Sequence, residues 1–340
     1  MSEEMRSDRV GEYLIPKVQE EFLFDELSDG YLGKTGLSDI LSGVPVPIRK
    51  SGISQGMTTL DIARNMAYVI GCDINFKYKD NYISYIKRMF KKDFVLPLLN
   101  EGVDYADKDD YESACIIFRA CIQIDPDNKD GFYCYGRACK DAYENSDDED
   151  YLGRFKAESL EAFEHLTLMA GDFDMGFYFL GFGYLNMGLY IKAKLTWERF
   201  LELSKDNELS TEVEELLSKL HEPCKIEEGY NHVLGGRFAE GIEILEPYRD
   251  DPRFNKWWPL WYYLGVAYKD ISEEIKAEEA FLKVLAISPS NVETMKELAN
   301  LYKAIGNIEK ENKYRQKIVV VENNMELDRQ EKGELTLSMS

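Results

Sequence analysis

Apolar residues between positions 256 and 291 fall into two blocks, in which they recur at three- and four-residue steps. This spacing predicts two amphipathic helices, and Pro289 marks the end of the second. The small residues Gly265 and Ala277 allow the two helices to approach closely. The large side chains of the blocks are Trp261, Leu264, Tyr268, Phe281 and Val284. Neither helix can bury these side chains alone, so a helical hairpin that packs on further hairpins is predicted.

The same arrangement recurs along the chain. The small residues of the six copies are Gly102, Gly136, Gly181, Gly229, Gly265 and Ala299. Three copies keep twelve residues between the small residue and the alanine of the second helix. In the copy at Gly136 the second helix begins eleven residues further along the chain than in the other copies, so an insertion is expected near residues 140–156. About six hairpins are predicted over residues 95–325.

These units resemble tetratricopeptide repeats of the bacterial type. The resemblance implies an all-α fold, a right-handed superhelical solenoid of helical hairpins, with a concave surface that binds a partner. It implies no chemistry.

The remaining segments lack the repeat. Residues 1–57 are expected to form an extended, partly disordered N-terminal arm, because alternating prolines in residues 43–48 forbid helix. Residues 58–94 are expected to form a capping helical hairpin or a degenerate repeat. The insertion is expected to be a solvated acidic loop, and residues 326–340 a disordered tail.

The arm suggests a further hypothesis. Its residues 13–48 combine acids with apolar groups, as in Phe22-Leu-Phe24, so we expect it to lie against the repeats and occupy part of their binding groove. Its acids could also meet the basic residues of positions 77–92. The alternative is a disordered tail with incidental apolar residues.

The charge balance indicates which partners are unfavourable, and the cysteines indicate the cellular compartment. Sixty-three acidic against 41 basic residues give a net charge of −22, which repels nucleic acid and anionic lipid. The six cysteines fall mostly on helix faces, which fits a reducing cytoplasm. The apolar stretch 173–190 is interpreted as a buried repeat helix, not a membrane span. A cytoplasmic protein with neither nucleic acid nor a membrane as its partner is therefore expected.

Fragments that imitate chemical motifs are incomplete. The glycines at Gly181 and Gly183 follow no strand, so they do not form a phosphate loop. His221 and Glu222 lack a second histidine, because Lys225 stands where a zinc protease needs one. The spacing of His221, Cys224 and His232 matches no common zinc site. No catalytic residue, metal or cofactor is predicted, and the protein is not expected to be an enzyme.

The resemblance also implies where a partner binds. In the family, residues three before, two before and one after each small position face a concave groove. These positions include Tyr178, Phe179, Phe182, Ile226, Tyr230, Tyr262, Tyr263 and Val266. An apolar or proline-containing extended peptide suits such rings. The alternative interpretation is that about half of them pack between neighbouring helices.

A basic island interrupts the acidic chain. It consists of Lys77, Lys79, Lys87, Arg88, Lys91 and Lys92. Helix-turn-helix DNA binding is one use of such a group, but residues 71–80 are too long for the turn of that motif. A solvated face or a dock for an acidic partner is favoured.

The sequence thus predicts a non-catalytic interaction scaffold, adaptor or assembly factor. One alternative is a peptide-sensing regulator whose repeats form the ligand-binding domain, and another is an accessory subunit of an enzyme. The identity of the partner and the oligomeric state stay open.

Overall fold

The computed structural model describes the backbone of residues 8–52 and 57–338, and the side chains as far as residue 327. The predicted all-α class is confirmed, and one small sheet accompanies the helices in the described residues. The chain divides into two compact units, Met1–Val213 and Glu214–Ser340. The sequence had predicted one continuous array over residues 95–325.

Residues 8–52 differ from the extended arm expected there, because they fold into short helices and a two-stranded antiparallel sheet. These elements are α1 (Gly11–Leu14), α2 (Pro16–Glu21), β1 (Phe22–Glu26), α3 (Asp29–Thr35), α4 (Ser38–Leu41), β2 (Pro45–Arg49) and a 3-10 turn (Lys50–Gly52). The backbone of β2 is extended, as the prolines predicted. Since Pro45 and Pro47 are two residues apart, their missing N–H groups fall on the same edge of the strand.

This N-terminal segment, defined here as residues 8–52, belongs to the core of the first unit. Val10, Leu14, Val18 and Phe22 recur at four-residue steps and are all buried. Their spacing is a helical stripe, which gives the segment an apolar face that must be covered. The segment therefore packs on the helices that follow it.

Two longer helices come next, α5 (Thr59–Cys72) and α6 (Lys79–Phe90). Thr58 and Asp61 form a capping box that begins α5. The buried Asn65 side chain of α5 donates to Pro47 O at 3.0 Å, and the Tyr82 hydroxyl of α6 donates to Pro45 O at 2.6 Å. These bonds hold β2 of the N-terminal segment against both helices.

Six helical pairs then follow within the described residues. They are α7 (Val95–Ala106) with α8 (Tyr111–Ile124), α9 (Lys129–Glu144) with α10 (Glu149–Met169), α11 (Asp174–Asn186) with α12 (Tyr190–Leu203), then, after α13 (Asn207–Lys219), α14 (His221–Leu234) with α15 (Phe238–Leu245), α16 (Trp258–Asp270) with α17 (Glu274–Ile287), and α18 (Val292–Ala304) with α19 (Ile308–Ser338). The predicted helical hairpins are thereby confirmed. Because α19 extends to Ser338, it includes most of the tail expected to be disordered; residues 339 and 340 lie outside the described residues.

In five of the six hairpins, the glycine of the first helix lies against a large side chain of the second helix. A Cβ at Gly102 would come within 2.5 Å of the Phe118 ring, and one at Gly265 within 2.6 Å of the Phe281 ring. In both pairs the large residue follows sixteen positions later. Only glycine leaves room for such a contact at this helix separation.

The turns of five hairpins share a backbone conformation. Each contains one residue in the left-handed region, with φ between 61° and 74°. These residues are Asp109, Gly188, Gly236, Ser272 and Gly306. Each follows the small position of its first helix by seven residues, so the turn belongs to the same period as the core contact.

Neighbouring hairpins are joined by a recurring hydrogen bond from a tyrosine to a glutamate. A tyrosine on the first helix of one hairpin donates to a glutamate on, or just after, the second helix of the preceding hairpin. The pairs are Tyr184 with Glu164 at 2.7 Å, Tyr268 with Glu246 at 2.6 Å, and Tyr302 with Glu278 at 2.6 Å. A hydrogen bond to a charged group is stronger than a neutral one, so these pairs fix the register of the stack.

The insertion after α9 lengthens a hairpin instead of forming only a solvated loop. α10 contains 21 residues, whereas α8 and α12 contain 14 each. The Asp148 side chain caps α10 by accepting from the backbone N–H groups of Asp150 and Tyr151. Phe155, within the insertion, is completely buried. The aromatic residues of the insertion therefore extend the helix and the core.

The close helix contact can be tested with a matched pair of glycines in the first unit. Gly181→Ala should lower the free energy of unfolding by about 1–3 kcal/mol, because the new methyl group would overlap the buried Trp197 indole. Gly153→Ala, on α10, should raise it by about 0.5–1 kcal/mol, because of the described residues none lies within 4 Å of the added Cβ. Urea denaturation measures both, and equal effects of the two changes would contradict the packing described here.

The Tyr302–Glu278 bond predicts a pH dependence for the second unit. Hydrogen bonds from Lys310 and then from Tyr302 lower the pKa of Glu278 from its ordinary 4.5. Stability from a lowered carboxyl pKa is present above the unfolded value and is lost as pH falls through the folded one. Glu278→Gln should therefore lose less stability than the wild type between about pH 5.5 and about pH 3.5. Urea midpoints across this range measure the effect; Glu279→Gln, a change of the exposed neighbour, should keep the wild-type slope.

Candidate functional site

In the second unit, aromatic residues of the first helices α14 and α16 form a continuous partly exposed group. Tyr230 and Tyr263 stack with ring centroids 4.4 Å apart and planes at 28°. Tyr262 meets Tyr263 edge-on at 5.5 Å, and Trp258 meets Tyr262 at 6.2 Å. Val266 lies one turn further along α16 and is half-buried. We call Tyr230, Trp258, Tyr262, Tyr263 and Val266 the aromatic surface.

The aromatic surface stays uncharged near neutral pH. Burial raises the pKa of both Tyr262 and Tyr263, and nearby Glu297 and Glu293 raise that of Tyr262 further. The phenols therefore remain protonated and can donate hydrogen bonds from the edge of an apolar patch.

Ile226 is a correction to the predicted groove. Its side chain is completely buried in the core of the second unit, so it cannot face a ligand. The family pattern of positions three before, two before and one after the small residue placed Ile226 in the groove with Tyr230. In the structure the Ile226 side chain points into the core instead. Trp258 was missed because it precedes the three offsets of the repeat, although a tryptophan at the start of a helix is a signal for an amphipathic contact.

In the first unit, the predicted residues around Gly181 separate into two environments. Tyr178 packs against Phe200 at 5.3 Å and its hydroxyl donates to Glu212 at 3.0 Å. Burial, followed by the bond to Glu212, raises the pKa of Tyr178 to about 12. Phe179 stacks on Phe163 of α10 at 5.3 Å. Tyr178 thus supports the stack, whereas Phe179 and Phe182 reach the neighbouring hairpin.

Phe179 and Phe182 line a cavity of about 430 Å³ between α9, α10 and α11. We call it the α10–α11 cavity. Its other apolar walls include Tyr143, Leu160 and Met187, and its polar lining includes Arg9, Lys140, Lys156 and Glu164. The sequence did not predict this cavity, because its roof is the lengthened part of α10.

The basic island surrounds α6, where it is only partly neutralised. The two terminal nitrogens of the Arg88 guanidinium donate to the two carboxylate oxygens of Asp39, at 2.7 and 2.8 Å. Lys77 lies 4.8 Å from the centroid of the Tyr78 ring. Lys87, Lys91 and Lys92 are exposed and Lys79 is half-buried. One expected contact, between acids of the N-terminal segment and these basic residues, is therefore present.

The N-terminal segment contacts α5, α6, α8 and α10 in the described residues. The buried pair of Asp8 and Arg119 joins it to α8 at 2.6 Å, with side chains 10% and 4% exposed. On α10, Asp150 accepts from the Tyr13 hydroxyl at 2.9 Å and Arg154 pairs with Glu12 at 2.8 Å. Among the repeat hairpins, the segment thus contacts the second helices α8 and α10. Of its described residues, only Arg9 lines the cavity that Phe179 and Phe182 also line.

The groups considered for chemistry are engaged elsewhere. His221 Nδ1 lies 3.0 Å from Glu222, and His232 Nδ1 lies 2.7 Å from Glu240. In the described part of the chain, no group of three or more His, Cys, Asp or Glu side chains is placed to hold a metal ion. Burial raises the pKa of the Cys139 thiol well above its ordinary value, and the neighbouring Cys115 thiol, with Sγ 3.7 Å away, raises it further. The Cys139 thiol therefore stays protonated.

The apolar stretch of residues 173–190 forms α11 and the turn after it. Across the described residues, every helix is too short or too polar to cross a lipid bilayer.

Comparison with known proteins identifies a repeat in the sequence. Residues 99–128, which span α7, its turn and α8, match the tetratricopeptide repeat family. Among curated protein sequences, none matches the chain.

Three solved structures illustrate the likeness of fold. The TPR domain of P58(IPK) is 12% identical, with a TM-score of 0.45 over 78% of this chain and 75% of that one. YrrB, a TPR protein with an unusual peptide-binding site, is 17% identical, with a TM-score of 0.31 over 63% and 96%. MamA from Desulfovibrio magneticus RS-1 is 13% identical, with a TM-score of 0.27 over 68% and 96%.

The position of the N-terminal segment leads to a test by hydrogen exchange. Tyr13→Ala removes a bond to Asp150 and a ring contact with Tyr151 at 4.9 Å. Exchange should therefore become faster in residues 9–21 and 149–156 and stay unchanged in residues 177–185. Tyr31→Ala, an exposed ring of the same segment, should leave all three stretches unchanged. Faster exchange confined to residues 177–185 would show that the segment covers α11.

Proposed function

We propose that this chain, which contains a match to the tetratricopeptide repeat, is a non-catalytic interaction scaffold that binds an extended apolar or proline-containing peptide on the aromatic surface. The observation that carries this proposal is the stacked pair of Tyr230 and Tyr263, which lies on the first helices of two successive hairpins and is half-buried. The partner is a protein, and the setting is the cytoplasm, where buried free thiols persist.

The chemistry of the aromatic surface supports this class of peptide. Rings held by stacking lose little side-chain freedom when a ligand binds, because they are already ordered. Their faces accept proline rings and aliphatic side chains, and an extended proline-rich segment has little conformational freedom to lose. Trp258, 38% exposed, adds a large face at one end of the row. The same features offer no nucleophile or general base.

A selection from a displayed library of random peptides tests the proposal. The wild-type chain should enrich apolar and proline-containing sequences, and Tyr262→Ala and Tyr263→Ala should each weaken binding of a selected peptide at least about tenfold. Tyr262→Phe should retain binding, because the ring supplies the contact. Each alanine change should cost less stability than Trp261→Ala, for which a loss of about 3–5 kcal/mol is expected.

The comparison with Trp261→Ala distinguishes loss of a ligand contact from damage to the core as the reason for lost binding. Trp261 is buried, and its indole donates to Asn255 O at 2.9 Å, so its removal damages the core. If Tyr262→Ala and Tyr263→Ala destabilise the second unit as much as Trp261→Ala, the rings are core residues. Enrichment of strongly charged peptides, or binding that survives both tyrosine changes, would also overturn the proposal.

A further inference from the structure

We propose that the α10–α11 cavity is a second binding site, which takes a peptide segment that has a large apolar residue next to an acidic one. The site lies wholly within the first unit, and it does not depend on the aromatic surface of the second. Three observations support it: the size and walls of the cavity, the cation within it, and the way the insertion builds it.

The cavity has the size and apolar walls of a ligand site. Its volume of about 430 Å³ falls within the range of roughly 300–1,000 Å³ that is typical of pockets for small groups. Phe179 is held in place by stacking on Phe163, and Phe182 by an edge contact with Trp197 at 4.9 Å. The walls are therefore already ordered, and a leucine or phenylalanine side chain would be buried between them.

Lys156 gives the cavity a cation that no described residue neutralises. Its ammonium donates to the backbone carbonyl of Asn186 at 3.1 Å, and among the described residues it forms no ion pair. The other cations of the lining are matched, because Lys140 pairs with Glu144 and Arg9 with Glu158 and Glu161. An ammonium has three donors, so Lys156 can bind a ligand carboxylate without losing Asn186.

The remaining carboxylate of the lining does not compete for Lys156. Glu164 accepts the Tyr184 hydroxyl at 2.7 Å, which is the bond that joins this hairpin to the next. Lys156 therefore has no carboxylate partner among the described residues, although the chain carries a net charge of −22. It favours an acidic ligand over a neutral one of the same shape.

The insertion explains why this site occurs at this hairpin. α10 is longer than α8 and α12, and its additional N-terminal turns, called the overhang here, line the cavity. Gly153 and Lys156 of that extension lie on one side of the cavity, and Asn186 and Met187 on the other. The site thus combines the overhang of α10 with two first-helix positions of the repeat, Phe179 and Phe182.

Gly153 provides a way to block the cavity without damaging the fold. Glycine is a poor helix former, and the space beside this one is open among the described residues. Gly153→Trp should therefore fill the cavity mouth while the helix is retained. Gly30→Trp is the matched control, because Gly30 lies on α3, has open space beside it among the described residues and does not line the cavity. Circular dichroism and thermal unfolding verify that both variants are folded.

The experiment measures fluorescence anisotropy of the full chain with two labelled octapeptides. One is Gly-Ser-Leu-Phe-Glu-Asp-Ser-Gly, and the other carries Gln-Asn in place of Glu-Asp. The wild type should prefer the acidic peptide about tenfold. Lys156→Gln should remove this preference, whereas Lys205→Gln, an exposed lysine of the same unit, should preserve it. Gly153→Trp should abolish binding of both peptides, and Gly30→Trp should keep it.

Each other outcome overturns the proposal. Equal affinity of the wild type for the two peptides removes the role of Lys156, and wild-type binding by Gly153→Trp places the peptide elsewhere. If Gly153→Trp does not fold, the comparison of Lys156→Gln with Lys205→Gln decides.

Sodium octanoate tests a free carboxylate as the ligand. Octanoate binding without peptide binding would mean that the ligand is a small amphipathic acid and not a peptide. Tyr263→Ala should leave peptide binding here unchanged, which separates this site from the aromatic surface.

Discussion

The contact between a glycine of the first helix and a large side chain sixteen residues later is the constraint on which the hairpins depend. It is present at Gly102 with Phe118, Gly181 with Trp197, and Gly265 with Phe281. The ring fills the space that the missing Cβ leaves, so the helix separation and the identity of both residues determine each other. A left-handed turn residue seven positions after the glycine belongs to the same period. One local relation therefore specifies a hairpin, and its repetition specifies a stack.

A hairpin of this kind buries only part of its apolar surface, so the ends of a stack need other cover. At the start of the chain the N-terminal segment supplies it with Val10, Leu14, Val18 and Phe22, and α5 adds a second layer against α8. The buried pair of Asp8 and Arg119 adds specificity more than stability, since two desolvated charges tolerate no other arrangement. On the last helix, α19, Val319 and Val320 remain 56% exposed.

The repeats could be predicted from the sequence because their information is local. The glycine, the alanine twelve positions later and the ring recur at fixed offsets, and these offsets identified the hairpins. The N-terminal segment could not be placed in this way, since its partners are 111 residues away for Asp8 and 137 for Tyr13. The four-residue stripe beginning at Val10 was a readable signal, but the prolines of β2 favoured an extended arm. Ile226 shows the limit of an offset rule, which counts positions along a helix and does not measure burial.

The insertion in the second hairpin has two structural consequences that the period could not reveal. Its aromatic residues Tyr151 and Phe155 pack against Tyr13 of the N-terminal segment. Its overhang lines one side of the α10–α11 cavity. Arg9 belongs to both, because it pairs with Glu158 and Glu161 of α10 and also lines the cavity. A ligand that binds beside Lys156 would therefore contact the same helix that holds the N-terminal segment. Since the regular hairpins carry none of these features, we expect specificity of the first unit to reside in the departure from the repeat and not in the repeat itself.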